Sequence, residues 1–420
     1  MSKIKEIISR EILDSRGNPT IETKIFSDDG FFASASIPSG ASTGKHEALE
    51  LRDRDPNRYH GLGVLRAIDN VKKKIAPVLM GVDVFDQEYV DRTMIEIDGS
   101  ENKMNLGANA ILSVSLATAR LASKIKDQEL YSYISEKFDF KKQSLPTPCF
   151  NIFNGGKHAD TNLDFQEFMI VPLKKMSFAE KVRMGAEIFH ELAKVLKKSG
   201  FDTDVGSEGG YAPDINSSVQ AIEFILSATV NAGYKPKVDV GIGIDVGSSG
   251  LFDKENKKYV FKLDKALFTN ETLIGLYNEW LRDFPIVSIE DGLAEDEWGA
   301  WRELTSELGD KMMIVGDDLF ATNQNRLRVG LKEKAANTVL IKPNQVGTLT
   351  EAVECVKLAQ KHNYKVFVSH RSGETNDDFI ADFAVAVGAD YIKAGSLSRG
   401  ERIAKYNRLM EIESIIGKKI

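Results

Sequence analysis

Cysteine is scarce in this chain. There are two in 420 residues, Cys149 and Cys355, far apart and in no CxxC pattern. That excludes a disulfide framework and fits a reducing cytosol. No stretch reaches the roughly 18 consecutive apolar residues of a membrane span, so no membrane span is expected. The opening MSKIKEIISREILDSRGNPT lacks the apolar centre of a signal peptide, and a cytoplasmic location is the expectation. Positive charge is not in excess either. The formal net charge is −7, which argues against direct, general nucleic-acid binding and leaves room only for a local basic pocket. No internal sequence repeat is visible, and no Gly-rich loop has the lysine spacing of a Walker A motif. What is present is ordinary globular material, 42% hydrophobic and 28% charged. The length suits two domains.

The first part alternates. The stretches IKEIISREILDS, TIETKIFS and FFASASIPSG are separated by RGNP and DDG, which reads as three antiparallel strands joined by turns. GANAILSVSLATARLASKI, residues 107–125, has the broad apolar face of a helix. Residues 1–136 are therefore expected to form a small α+β domain. KFDFKKQSLPTP, residues 137–148, is charged and holds two prolines, as a linker does. A second domain is expected over 144–420. There, short apolar runs alternate with helical patterns, which means a mostly parallel sheet. One helix is predicted to open with a capping box, Ser177 and Glu180, and to stop at Gly200.

The ends of those apolar runs carry the information. VDVGIGID ends at Asp245, FPIVSIED at Glu290 and Asp291, and KMMIVGDD at Asp317 and Asp318. NTVLIKPN carries Lys342, YKVFVSH ends at His370, and ADYIKAGS carries Lys393. In a (β/α)₈ barrel all such ends lie on the C-terminal face, where the chemistry is done. Any one of these residues is explained by loops being polar. Six in register are not.

Asp245, Glu290 and Asp317 end three successive strands of that series. Three converging carboxylates repel one another unless a cation lies between them. No His or Cys accompanies them, so a hard, oxygen-loving ion is expected, Mg²⁺ first and Mn²⁺ as a replacement. Helix capping remains the alternative for any single one. Lys342 and Lys393, with His370, Arg371 and Ser372 between them, face those acids and suggest an anionic ligand. A lysine among other cations is disfavoured as an ammonium, which suits a general base; a surface ion pair is the alternative. Upstream, DVGSEGGYAP places Glu208 between glycines, and NGGKHADTNLDFQEFMIVP offers His158, Gln166 and Glu167. IPSGASTGKHEA holds a Gly/Ser/Thr loop, Pro38 to Gly44, suited to closing over a phosphate-bearing ligand.

PSGASTG, NIFNGGKHA, FQEFMIVP, SEGGYAP, SIEDGL, GDDLF, IKPNQVGTLTE and SHRSGET together resemble the enolases. The resemblance covers essentially the whole chain. It implies an enolase-type modified (β/α)₈ barrel with one early antiparallel strand, preceded by a smaller α+β lid domain. It implies reversible dehydration of 2-phospho-D-glycerate to phosphoenolpyruvate and water in glycolysis. By that resemblance Asp245, Glu290 and Asp317 hold a first Mg²⁺, and Ser42 binds a second with the phosphate. Lys342 is similar to the base at C2 and Glu208 to the acid at the C3 hydroxyl, with Glu167 beside it. Lys393 resembles a partner of the substrate carboxylate, and Arg371 and Ser372 resemble phosphate contacts. His158, His370 and Gln166 resemble further substrate-site residues.

The family also implies a homodimer or, in many bacteria, an octamer of four dimers. Some relatives appear outside the cell or on its surface and bind plasminogen, and others take part in RNA degradation. The chain ends in Ile420 rather than lysine, a weak match to the surface role. Three departures stand out. Ser207 precedes Glu208 where many enolases have Asp, and Gly247 and Gly250 replace an Ala and a Glu after the first metal strand. Extra glycine is expected to loosen that strand by roughly 0.5–1 kcal/mol, so that restoring Ala and Glu would tighten it. Two other readings compete. One is a different superfamily enzyme that abstracts a proton beside a carboxylate. The other is a non-catalytic binding protein on the same scaffold.

Overall fold

In TIETKIFS every second residue is apolar or small, and the strand it forms turns that side inward, with Ile21 and Ile25 fully buried. The computed structural model describes residues 2–40 and 44–417. In it β1 (Ile4–Leu13), β2 (Pro19–Ser27) and β3 (Phe32–Ser36) form an antiparallel sheet in that order. Asp14 shapes the first turn, accepting from the amides of Arg16 (2.8 Å) and Asn18 (2.9 Å). The helix Ala108–Ile125 packs on this sheet. It is buried on nearly every side rather than on one face, because its far side meets the barrel.

Eight strands then close into a barrel. They are β4 (Thr147–Asn154), β5 (Glu167–Pro172), β6 (Val240–Asp245), β10 (Ile286–Glu290), β11 (Met313–Gly316), β12 (Thr338–Ile341), β13 (Lys365–Ser369) and β14 (Tyr391–Lys393). Between β6 and β10 the chain makes a small separate sheet of β7 (Phe252–Asp253), β8 (Lys258–Phe261) and β9 (Ala266–Phe268), which sequence patterning did not reveal. β5 runs antiparallel to both of its neighbours, and all other barrel pairs are parallel. Cys149, Met169, Val171, Met313, Val315, Leu340 and Phe367 fill the barrel as one buried cluster. The barrel interior is thus a packed core and not a pore.

Two local expectations change. Ser177 does cap its helix, accepting from the Glu180 amide at 3.2 Å, but the Glu180 carboxylate pairs with Arg183 at 2.6 Å instead of turning back. The box is half made because a cation one turn away competes for that carboxylate. The segment from Lys137 to Pro148 also ends earlier than expected, because Thr147 and Pro148 already pair with Tyr391 and Ile392 of β14.

Candidate active site

The six polar strand ends meet on one rim. Asp245, Glu290 and Lys393 are the last residues of β6, β10 and β14, while Asp317, Lys342 and His370 directly follow β11, β12 and β13. Because β5 is reversed, its first residue, Glu167, pairs with Asp245 and joins the same rim. The turn after β4 adds His158, and a loop adds Glu208. All of these but Glu290 line a nearly filled cavity with only about 20 Å³ of free space, and Gln166 and Asp318 connect it to a wider cleft.

One side of the mouth is a cage of acids around an ammonium. Lys393 Nζ lies 2.8 Å from both Glu290 oxygens and 3.3 Å from Asp245 Oδ2 and Glu167 Oε1. Burial works against its charge, but Glu167, Glu290 and Asp245 outweigh it and raise its pKa well above the usual lysine value. Lys342 Nζ donates to Asp317 Oδ2, and Gln345 Nε2 donates to Asp317 Oδ1 at 2.9 Å. Burial opposes the Lys342 ammonium too, yet Asp317 raises its pKa. Both lysines are therefore cations in this state.

The other side holds the Glu208 carboxylate. Asn151 Nδ2 donates to it at 2.8 Å, His158 Nδ1 lies 3.4 Å from it, and His370 Nε2 lies 3.7 Å away. Burial penalises its charge, but His158, Arg402 and Lys393 prevail and bring its pKa down to about 2. His158 shows the complement. Burial disfavours its proton, and Glu208 and Glu167 still raise its pKa. Both shifts favour a proton on His158 over one on Glu208, whereas the family resemblance implies Glu208 as the acid.

Arg371 is buried and bonds Glu47 of the N-terminal domain at 2.8 and 3.3 Å and Asn344 at 3.1 Å. Ser372 is buried beside it. Ser42 lies outside the described residues.

The acids outnumber the cations. Six carboxyl groups line the cavity against Lys342, Arg371, Lys393 and His158. Burial, only partly offset by Lys393, raises the pKa of Asp245. Burial and then Asp245 raise Glu290 well above its ordinary value. Burial and Asp317 push Asp318 up to about 7. Excess buried carboxylate of this kind, all oxygen and no thiol, fits a hard divalent cation. Two groups of possible metal ligands converge beside the expected Asp245, Glu290 and Asp317. Oxygens of Asp291, Asp317 and Asp318 lie within 4.8 Å of one another, as do ligand atoms of His158, Glu167 and Glu208. Asp291 also has a framing role, accepting from the amides of Asp317 and Asp318 at 2.9 Å each.

The departures acquire reasons. Ser207 Oγ donates to the His158 carbonyl at 2.9 Å, tying the Glu208 loop to His158. Gly247 is left-handed, at φ +59°, and its amide donates to Asp245 Oδ1 at 3.1 Å. A Cβ there would fall 1.7 Å from Gln166 Nε2. Glycine therefore fits this position, and the expectation that Ala would tighten the strand is reversed. At Gly250 a Cβ would meet only Lys157 Cε, at 3.8 Å. Sequence reasoning missed Asn151, Glu47, Gln345 and Arg402. Only Asn151 left a signal, as a polar residue inside the apolar run CFNIF. The other three matter through contacts distant in sequence.

The family model described as "Enolase, N-terminal domain" matches residues 4–134, and "Enolase, C-terminal TIM barrel domain" matches 142–420. A curated enolase from Bdellovibrio bacteriovorus is 50% identical over 417 residues, which is 99% of this chain and 97% of that one.

Proposed function

The chain belongs to the enolase family and is a lyase, a phosphopyruvate hydratase, and on that premise we propose how its own residues divide the work of dehydrating 2-phospho-D-glycerate. The observation that carries the reading is the division of the mouth. Lys342 sits with the acid cage, and Glu208 sits with the histidines across from it.

Lys342 is the base that takes the C2 proton. It must first lose its own proton, which Asp317 now stabilises. Asp245, Glu290 and Asp317 are the residues to hold Mg²⁺, and a second ion is assigned to the Ser42 loop. Bound at the first site, the metal would share the Asp317 charge and offset the negative charge that builds on the substrate carboxylate. Lys393, already surrounded by acids, supplies a further positive charge for that carboxylate. Arg371 and Ser372 take the phosphate, which must compete with Glu47 for the guanidinium. Glu208 delivers the proton that lets the C3 hydroxyl leave as water, and His158, 3.4 Å away, supplies it. Glu167, Gln166 and His370 complete the wall. We further propose that residues 1–136 act as a lid over a barrel of 144–420, and that the chain pairs as a homodimer. The edge strand β1, with Ile8 and Leu13 exposed, supports the pairing.

The test separates the two proton transfers. With Mg²⁺ the protein should form phosphoenolpyruvate from 2-phosphoglycerate, and excess chelator should stop it. Glu208→Gln should lose dehydration but still exchange the C2 hydrogen with deuterated water. Lys342→Ala should lose both. Exchange that persists in the lysine variant and vanishes in the glutamine variant would reverse the two assignments. Full turnover in excess chelator would sink the metal.

A further inference from the structure

We propose that Arg402 is a positioning residue for the reaction: it holds His370 as the tautomer protonated on Nε2, facing Glu208, and locks the Glu208 loop to the His370 rim. The inference rests on the roles assigned above to Glu208 and His370.

Arg402 lies in the first turn of the C-terminal helix Gly400–Gly417 and is fully buried. Its Nη1 donates to His370 Nδ1 and to the Arg371 carbonyl, both at 2.6 Å. Its Nη2 donates to the carbonyls of Ser372 (2.7 Å) and Ser207 (2.9 Å). Glu401 lies 3.3 Å from its Nε. A buried guanidinium with most of its donors spent on neutral acceptors is a costly placement. Its four acceptors explain the placement. Ser207 precedes Glu208, and Arg371 and Ser372 follow His370, so one planar fork spans both catalytic loops.

The imidazole contact fixes more than position. Arginine has no acceptor and does not deprotonate in proteins. His370 Nδ1 must therefore offer its lone pair, which places the ring proton on Nε2. That nitrogen faces Glu208 Oε2 at 3.7 Å. The charged groups around His370 are Glu208 and Glu167 on one side and Lys393, Lys342 and Arg402 on the others. Burial first, and then the Arg402 charge, depress its pKa well below the ordinary value. The ring is thus kept neutral, with its N–H turned toward the Glu208 carboxylate 3.7 Å away, beyond direct hydrogen-bond reach.

The experiment reads the tautomer directly. Nitrogen NMR of ¹⁵N-histidine-labelled, ligand-free protein should show His370 with a bare Nδ1 and a protonated Nε2. Protonated Nδ1 in the native protein overturns the inference, and this measurement needs no variant. Arg402→Met should disturb that tautomer. It should cut dehydration on the order of 100-fold while C2 hydrogen exchange, which depends on Lys342, falls much less. Arg402→Lys, with charge but no fork, should fall between. An unchanged tautomer in Arg402→Met, or dehydration and exchange falling together, makes Arg402 a packing residue only. If Glu208→Gln itself keeps dehydration, the underlying reading fails while the tautomer result still stands on its own.

Discussion

Replacing Gly247 by alanine is the change that best separates a loose strand from a required conformation. The residue sits at φ +59°, two positions after Asp245 at the strand end, and its amide holds Asp245 Oδ1. A left-handed conformation costs an L-residue about 1–2 kcal/mol. The stiffer unfolded chain returns about 0.4–1 kcal/mol. The net backbone loss is therefore about 1 kcal/mol. Unfolding entropy is near 2 cal/mol/K per residue, so in a chain this long that loss moves Tm by only about 1 °C. Heat is a poor reporter here, and kinetics must decide. The new Cβ would lie 1.7 Å from Gln166 Nε2, where ordinary contact begins near 3.4 Å, so the amide has to swing away. Displacing Gln166, proposed above as part of the substrate-site wall, on that scale should cost about 10- to 100-fold in kcat/KM. The assay is phosphoenolpyruvate formation at saturating Mg²⁺, with Gly250→Glu as the control, since that site is open. Wild-type kcat/KM and an equal or higher Tm in Gly247→Ala would refute the argument. Equal losses in both variants would refute its site specificity.

Asp317→Asn should weaken Mg²⁺ binding, measured by calorimetry, and remove most activity while circular dichroism stays native. A second expectation concerns acid. Asp91 lies buried between the domains, accepting from Thr350 N (3.0 Å) and Oγ1 (2.6 Å), and burial, against those bonds, pushes its pKa up from 3.8 to about 6. Its folded pKa exceeds its unfolded one, so its stabilising contribution is complete below about pH 4 and is lost as pH rises through 6. The size is about 3 kcal/mol. Urea midpoints from pH 4 to 7 should fall less steeply in Asp91→Asn than in the native chain. Identical slopes would exclude Asp91 as the source.

Much of this site is legible along the chain because strand period and burial act locally. A buried strand that ends in Asp, Glu, Lys or His announces the residue at its tip. Asp245, Glu290, Asp317, Lys342, His370 and Lys393 could all be marked from such runs, and the structure gathers them on one rim. Glu208 and His158 stood out only as polar residues in Gly-rich stretches with no period of their own, and motif resemblance supplied their roles. The sequence by itself determined the alternation of elements, the acid-rich rim and the family. Tertiary structure decided what no run of residues encodes. Reversal of β5 brings Glu167 to the mouth, and close packing against Gln166 turns Gly247 from an expected weakness into a fit. Lys393 rather than Lys342 takes the centre of the acid cage. Charge balance favours a proton on His158 over one on Glu208 because His158, Arg402 and Lys393 act on that carboxylate from separate elements. Arg402, nearly two hundred residues from Ser207, joins two loops through hydrogen bonds. Such charge balances and contacts depend on distances between segments remote in the chain, and those distances exist only after folding.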